Sequence, residues 1–392
     1  MNKTILSLEV QQFIDANLNK DLQQLILRGS PFEDVSIQEL ANQIQAKQKV
    51  KAKLPTWFNT ATIYFPQKVS IEQTSSEITA KYKASLFSGE NFIDLTAGFG
   101  VDSYYFSKTF KSGIHCEINN ELSEIVKHNY QVLSVDNVEV LALDGLDYLK
   151  QTNKNFDLIY IDPSRRNKIK GKVFLLKDYE PDVIDNLDLL LNKSNTILIK
   201  VSPLLDLTNV INSLEFVAEI HCVAVQNEMK ELLIVLKKNY TKAIQIKTIN
   251  FQKNNTQIFN FEWKKHYNFD YSLPEKYLYE PNSAIMKSGA FEAVASEYCL
   301  EKLHKHTHLY TSNDPLNFPG RQFEIIKILS ANKKEIKKHL ASLKANITTR
   351  NYPNTVTEIR KKFQLKDGGD DYLFFCMDLN DKKIVLHCKK VN

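Results

Sequence analysis

The first seventy residues carry apolar positions at helical spacing. Gln11–Asn19 and Ile37–Lys51 both read as helices with few glycines. Leu54-Pro55-Thr56-Trp57 closes that stretch, because the residue before a proline avoids the helical region. From about residue 70 the rhythm changes. Short β-branched runs at Phe92–Leu95, Gly113–Glu117, Val138–Leu143, Phe156–Ile161 and Thr196–Val201 alternate with amphipathic segments at Tyr104–Phe110, Glu121–Leu133, Gly145–Leu149 and Pro181–Leu191. Strands alternating with helices predict a parallel sheet covered on both faces. Phe216–Val225 and Glu231–Leu236 flank the short polar turn Gln226–Lys230 and predict an antiparallel hairpin. Five parallel strands and a closing hairpin make a seven-stranded sheet.

The remainder is patterned less clearly. Residues 239–275 are polar and aromatic without a clear period, and 276–320 form a small mixed segment. The C-terminal stretch predicts helices at Phe323–Leu329 and Lys333–Leu343, then strands at Tyr372–Met377 and Lys383–His387. The pattern as a whole predicts an α/β fold in four parts. These are a helical N-terminal domain over 1–70, the α/β domain over 71–238, a connecting mixed segment over 239–320, and a small α+β domain over 321–392.

Composition narrows the function classes. With 392 residues, 43% hydrophobic and 25% charged, the chain is ordinary globular protein of two or three domains. No run of 18 apolar residues or secretory leader is evident, so no membrane partner and a cytoplasmic location are expected. The five cysteines are far apart and never in Cys-x-x-Cys spacing, which disfavours a disulfide framework or a structural zinc site. The net charge of +5 is uneven. Arg321 to Asn392 holds 16 Lys/Arg against 8 Asp/Glu, leaving −3 for the rest. A basic segment on a near-neutral body points to a polyanionic partner, although a solvated lysine surface gives the same count.

The strongest chemical signal is Phe92-Ile93-Asp94-Leu95-Thr96-Ala97-Gly98-Phe99-Gly100-Val101-Asp102. An apolar strand ends in an acid, and a Gly-x-Gly turn then opens a helix. Glycines at Gly98 and Gly100 let the backbone approach a ligand closely, and helix-start N–H groups can meet a carboxylate. Ser103 stands where a dinucleotide cradle would want a third glycine. Glu117 ends the next strand, where a carboxylate can accept from two ribose hydroxyls. Asp144-Gly145 ends the third, placed to read an adenine edge. Each acid taken singly could merely cap a helix. Three consecutive strand ends in order point to a nucleoside-bearing cofactor instead.

The fourth strand ends in Ile161-Asp162-Pro163-Ser164-Arg165-Arg166. Asp162 and the rigid Pro163 can orient a nucleophile, and Arg165 and Arg166 can hold a phosphate or simply sit in water. Lys200-Val201-Ser202-Pro203 ends the fifth strand as a second wall. Thr74 and Ser75 head a helix running through Tyr82-Lys83, by N-cap chemistry or as a seat for a cofactor carboxylate. His304, His306 and His308 would share one face of a strand, but no acidic or cysteine complement supports a metal there. Lys333, Lys334, Lys337 and Lys338 form a basic helix stripe opposite Ile336, Leu340 and Leu343, a candidate phosphate-contact surface.

On Asp94–Gly100, Glu117, Asp144 and Asp162–Arg165, residues 70–238 resemble class I S-adenosylmethionine (SAM)-dependent methyltransferases. The wider arrangement resembles bacterial RNA methyltransferases with a C-terminal THUMP-like domain. The supporting stretches are Tyr279-Glu280-Pro281-Asn282-Ser283-Ala284, Lys344-Ala345-Asn346, Arg350-Asn351-Tyr352-Pro353 and Lys366-Asp367-Gly368-Gly369. The resemblance implies a Rossmann-like seven-stranded sheet and SAM held by Thr74, Ser75, Asp94, Thr96, Gly98, Gly100, Glu117, Asp144 and Asp162. It implies catalysis by Asp162, Pro163 and Arg165 at the strand end facing the methyl group, with no obligate metal. It further implies a structured RNA substrate, tRNA or rRNA, with Arg166 and the four lysines as contacts. Asp162-Pro163-Ser164-Arg165 departs from the Asn/Asp-Pro-Pro-aromatic signature of many exocyclic-amine enzymes, which leaves the target atom open. No cysteine lies at either strand end, so carbon-5 methylation through a thiolate adduct is disfavoured. A protein or small-molecule methyltransferase and a non-catalytic module retaining a SAM site are the alternative readings.

Overall fold

The computed structural model describes residues 1–165, 175–340 and 343–391. It divides into two compact units. The first comprises Met1–Ala218 with Leu233–Lys242, and the second Glu219–Leu232 with Ala243–Asn392. Among the described residues no helix is long and apolar enough to cross a membrane.

The first unit opens with helices Leu8–Ala16, Leu22–Arg28 and Ile37–Lys53. Ser36 and Glu39 form a reciprocal capping box that starts the longest of them. Leu54 breaks that helix, as expected of a residue before proline. Pro55 then occupies the first position of a new one, Pro55–Asn59, where its missing N–H costs nothing.

Strands β1 (Gly89–Asp94), β2 (Phe110–Cys116), β3 (Val138–Leu141), β4 (Leu158–Ile161) and β5 (Thr196–Val201) form a parallel array. The hairpin strands β6 (Val217–Val225) and β7 (Glu228–Lys237) are divided between the two units. The order of these seven is β3-β2-β1-β4-β5-β7-β6. It reverses between β1 and β4, and the crevice outside the carboxyl ends there is where open α/β sheets bind ligands. The strands are fully apolar where they cross the core: Phe92, Ile93, Leu158, Ile159, Ile197, Leu198 and Ile199 are all buried.

Several expected boundaries move. The helix expected at Tyr104–Phe110 runs over Val101–Phe106, and Phe110 begins β2. The helix expected over Pro181–Leu191 is Leu187–Lys193. The hairpin turn is two residues, Gln226 and Asn227, both left-handed, so β7 starts earlier than expected.

In the second unit the sheet continues past seven strands. β8 (Gln245–Phe251) lies parallel to β6, and β9 (Thr256–Glu262) pairs antiparallel with β8. The full sheet therefore has nine strands. These two were hidden because polar residues occupy buried positions. Thr248 and Asn250 are 1% and 0% exposed. Thr248 Oγ1 donates to Phe259 O and Asn250 Nδ2 to Gln257 Oε1, which satisfies the polar atoms but erases the alternation.

A separate seven-stranded sheet follows in the order β11-β12-β10-β13-β16-β15-β14. Its members are β10 (Tyr277–Pro281), β11 (Glu301–Lys302), β12 (Tyr310–Ser312), β13 (Gly320–Ser330), β14 (Lys344–Arg350), β15 (Lys366–Met377) and β16 (Lys383–Lys390). The helix expected at Phe323–Leu329 is thus part of strand β13. Its apolar residues fit both periods. Antiparallel partners β10 and β16, and a register shift between Ile325 and Lys327, decide for the strand. The helix expected over Lys333–Leu343 is Lys333–Leu340, with Ile336 and Leu340 buried against β13 to β16 residues Leu329, Leu373, Phe375 and Val385.

Candidate active site at the strand ends

The loop from β1 to helix Val101–Phe106 bends at Gly98 and Gly100, whose φ angles are 56° and 79°. A Cβ at Gly100 would come 2.6 Å from the Tyr130 hydroxyl, so this glycine lets the loop close onto the helix Asn120–Val132. A Cβ at Gly98 would meet nothing nearer than Thr96 O at 4.0 Å, leaving that side of the loop open to a ligand.

Asp94 is fully buried beneath this loop. Ser103 Oγ donates to its Oδ2 at 2.7 Å, and Thr96 N donates to its Oδ1 at 3.2 Å. Burial pushes the carboxyl up to about 8, against the Ser103 hydrogen bond. Asp94 therefore braces the loop from within. Glu117 lies half-buried at the end of β2 and accepts from Gly98 N at 3.0 Å and Asn119 N at 2.8 Å. Each oxygen takes one donor and keeps a lone pair for a further one. Ile118 beside it is 73% exposed, an apolar surface next to the carboxylate. Asp144 is exposed and caps helix Gly145–Gln151 through Oδ1, which accepts from Leu146 N and Asp147 N. The capping role is thus real, and Oδ2 remains available beside it.

At the end of β4, Asp162 N donates to Thr96 Oγ1 at 2.6 Å, tying β4 to the glycine loop. The Asp162 carboxylate is ion-paired to Lys200 from β5. Burial raises the Asp162 carboxyl above its ordinary value, although Lys200 pulls the other way. Pro163 is buried, and Arg165 is half-buried in a two-residue ladder opposite Tyr179. Arg166 lies outside the described residues.

Below these groups sits a buried ion pair that the sequence pattern did not reveal. Lys83 Nζ is 3.2 Å from Asp102 Oδ1, and the two side chains are 0% and 9% exposed. Ser75 Oγ and Tyr160 OH both donate to Asp102 Oδ2, at 2.7 and 2.8 Å. Burial opposes ionisation of Asp102, but Lys83 and Lys200 outweigh it and hold the carboxyl below its usual range. Ser75 is therefore committed to this network. Thr74 caps the end of helix Lys68–Gln73, and Ser76 heads the next helix. A lysine on helix Glu77–Ser85 looks solvent-facing in sequence; only its partner explains its burial.

In the second unit, Lys333, Lys334, Lys337 and Lys338 are all exposed on their helix, opposite its buried face. His304, His306 and His308 do not share a strand face. They lie in the turn between β11 and β12, where His306 N donates to His304 Nδ1. No group of His, Cys, Asp and Glu suited to a metal occurs among the described residues.

The geometry meets known proteins at this point. Residues 277–319 match the family of ferredoxin-like domains and 320–390 the THUMP domain-like family. A "putative methyltransferase" of known crystal structure from Porphyromonas gingivalis W83 is 31% identical, with a TM-score of 0.89 over 100% of this chain and 99% of that one. The chain belongs to this methyltransferase family. A 95-residue stretch of the chain is also 30% identical to an uncharacterized RNA methyltransferase of Mycoplasma mobile. That match spans 24% of this chain and about a quarter, 26%, of that relative. The chain thus joins the expected α/β sheet to a THUMP-like C-terminus. The ferredoxin-like match lies within the mixed segment of 239–320.

Proposed function

We propose that the protein transfers a methyl group from SAM to a base nitrogen of structured RNA, a tRNA or an rRNA. The observation that carries the methyl-transfer reading is the ordered strand-end set: the open side of Gly98, Glu117 at the end of β2, Asp144 at the end of β3, and the Asp162–Lys200 pair at the end of β4. These residues fit SAM. The glycine loop leaves backbone room, Glu117 keeps lone pairs for ribose hydroxyls, Ile118 offers an apolar face, and Asp144 Oδ2 is left for the adenine edge. When bound, SAM supplies an activated methyl on a sulfonium.

The chain's own part is orientation and a proton site. Asp162 sits where Thr96 and Lys200 hold it still. Its raised pKa suits a group that accepts a hydrogen bond or a proton from the acceptor nitrogen. Lys83 and Asp102 keep the helix after the glycine loop fixed on the helix before β1. The RNA reading is supported by the THUMP-like match and by the exposed lysines of the second unit. Calorimetric titration of SAM and mass spectrometry of modified nucleosides from a deletion strain test the proposal. Absence of SAM binding would sink the first half; an unchanged nucleoside profile would sink the second.

A further inference from the structure

The second unit contains an ion cluster that neither the methyl-transfer site nor the lysine helix uses. Two stretches singled out in the sequence, around Glu280 and Arg350, meet there across 70 residues. The Glu280 side chain is 3% exposed and is held from two sides. Arg321 Nε donates to Oε2 at 2.6 Å, and Arg350 Nη2 donates to Oε1 at 2.7 Å. Arg321 also reaches Thr348 Oγ1 and lies 5.5 Å over the Phe323 ring. Arg350 Nη1 is anchored on Thr349 O. Both guanidinium groups are therefore fixed in place, yet their side chains are 37% and 32% exposed.

Two guanidinium groups on one carboxylate leave a positive charge over. A further cation, Lys302, acts on His308 together with Arg350. Lys302 is buried on β11, with its ammonium 5.2 Å from the Phe269 ring and 5.9 Å from that of Phe291. His308 stacks on the same Phe291 at 3.6 Å. Burial first, and then Lys302, His306, Arg350 and His304, push its imidazole down to about 4. Glu292 acts on Lys302, and Asp381 is an exposed partner of His304. Neutralising Glu280 needs one cation. A second, oriented and partly exposed, is the arrangement that recognises phosphate oxygens in a fixed geometry. Arg350 Nε is buried without an acceptor among the described residues, so a phosphate would meet the outer, partly exposed ends of the two guanidinium groups.

We propose that Arg321 and Arg350, positioned by Glu280, form a phosphate-binding fork for the backbone of an RNA strand, distinct from the lysine helix. The inference rests on the RNA reading above. It differs from that helix in kind: the fork selects by geometry, and the lysines attract by charge.

Fluorescence anisotropy of the full chain with bulk tRNA as probe separates the two. Arg321→Lys and Arg350→Lys keep the charge and lose the fork. Each is expected to weaken tRNA binding about tenfold, with the salt dependence nearly unchanged. If the wild type binds tRNA and both lysine variants bind as tightly, the pair only neutralises Glu280 and the fork is overturned. If the wild type binds neither bulk tRNA nor purified rRNA, the RNA reading falls and the fork with it. Phenylglyoxal modification of the wild type, mapped by peptide mass spectrometry, needs no variant to fold. tRNA is expected to protect Arg321 and Arg350 more than inorganic phosphate does. Equal protection by inorganic phosphate alone would assign the site to a free phosphate and overturn the RNA assignment.

Discussion

The glycine-loop region of the first unit and the lysine helix of the second are both rich in charge, yet they are built differently. Around Gly98, Asp94 is held by Ser103 and Thr96, Asp102 by Lys83, Ser75 and Tyr160, and Asp162 by Lys200. On Lys333–Leu340 the four lysines face water. Buried charges interact strongly and cost much to disturb, so they can fix geometry. Exposed charges act as a sum and are screened by salt. The first region holds its atoms in place, and the second presents a diffuse positive field to solvent.

Perturbations should break that contrast in order of size. Asp162→Asn keeps the shape of the side chain and removes its proton-accepting capacity. Single-turnover methyl transfer should fall by about a hundredfold or more, while SAM titration stays close to the wild type. An equal loss in SAM affinity would make Asp162 a cofactor ligand and not a catalytic one. Lys83→Met strands Asp102 without its main partner. Denaturant titration of the full chain should lose about 3–5 kcal/mol, the cost of an uncompensated buried charge. A loss below about 1 kcal/mol, the size of a surface pair, would show that the pair contributes little.

Glu117→Ala should weaken SAM by about 1–3 kcal/mol in calorimetry, as expected for a lost charged acceptor. Replacing Lys333, Lys334, Lys337 and Lys338 together by alanine should leave SAM affinity alone. It should flatten the logarithmic salt dependence of tRNA binding by up to about four units. A slope identical to the wild type would return these lysines to a wet surface. The last test concerns Asp94 and is read from a pH profile. Its carboxyl is raised in the folded state, so its contribution to stability is present below its ordinary value of 3.8 and is lost as pH rises through about 8. Asp94→Asn should therefore lessen the fall in Tm between its ordinary value of 3.8 and about 8. An unchanged Tm profile would place its proton elsewhere.

The legible parts of the chain were those where one local rule dominated. Phe92–Ile93 and Ile197–Ile199 are buried and read as unbroken apolar runs. Asp94, Glu117, Asp144 and Asp162 stand at or just past the ends of four strands and were legible because each closes an apolar run. β8 was not legible, because Thr248 and Asn250 satisfy their polar atoms inside the sheet. Phe323–Leu329 read as a helix because its apolar residues suit either period, and partners distant in sequence choose between them.

By itself, the sequence determined the alternation of strands and helices, the glycine loop and the order of strand-end acids, since these follow from neighbours within a few residues. Tertiary structure alone decided which charges are buried and with whom. Lys83 and Asp102 are 19 residues apart, Asp162 and Lys200 are 38 apart, and Glu280 and Arg350 are 70 apart. A carboxylate's partner sets its charge state and its geometry, and no local pattern carries the identity of a partner that only folding brings near.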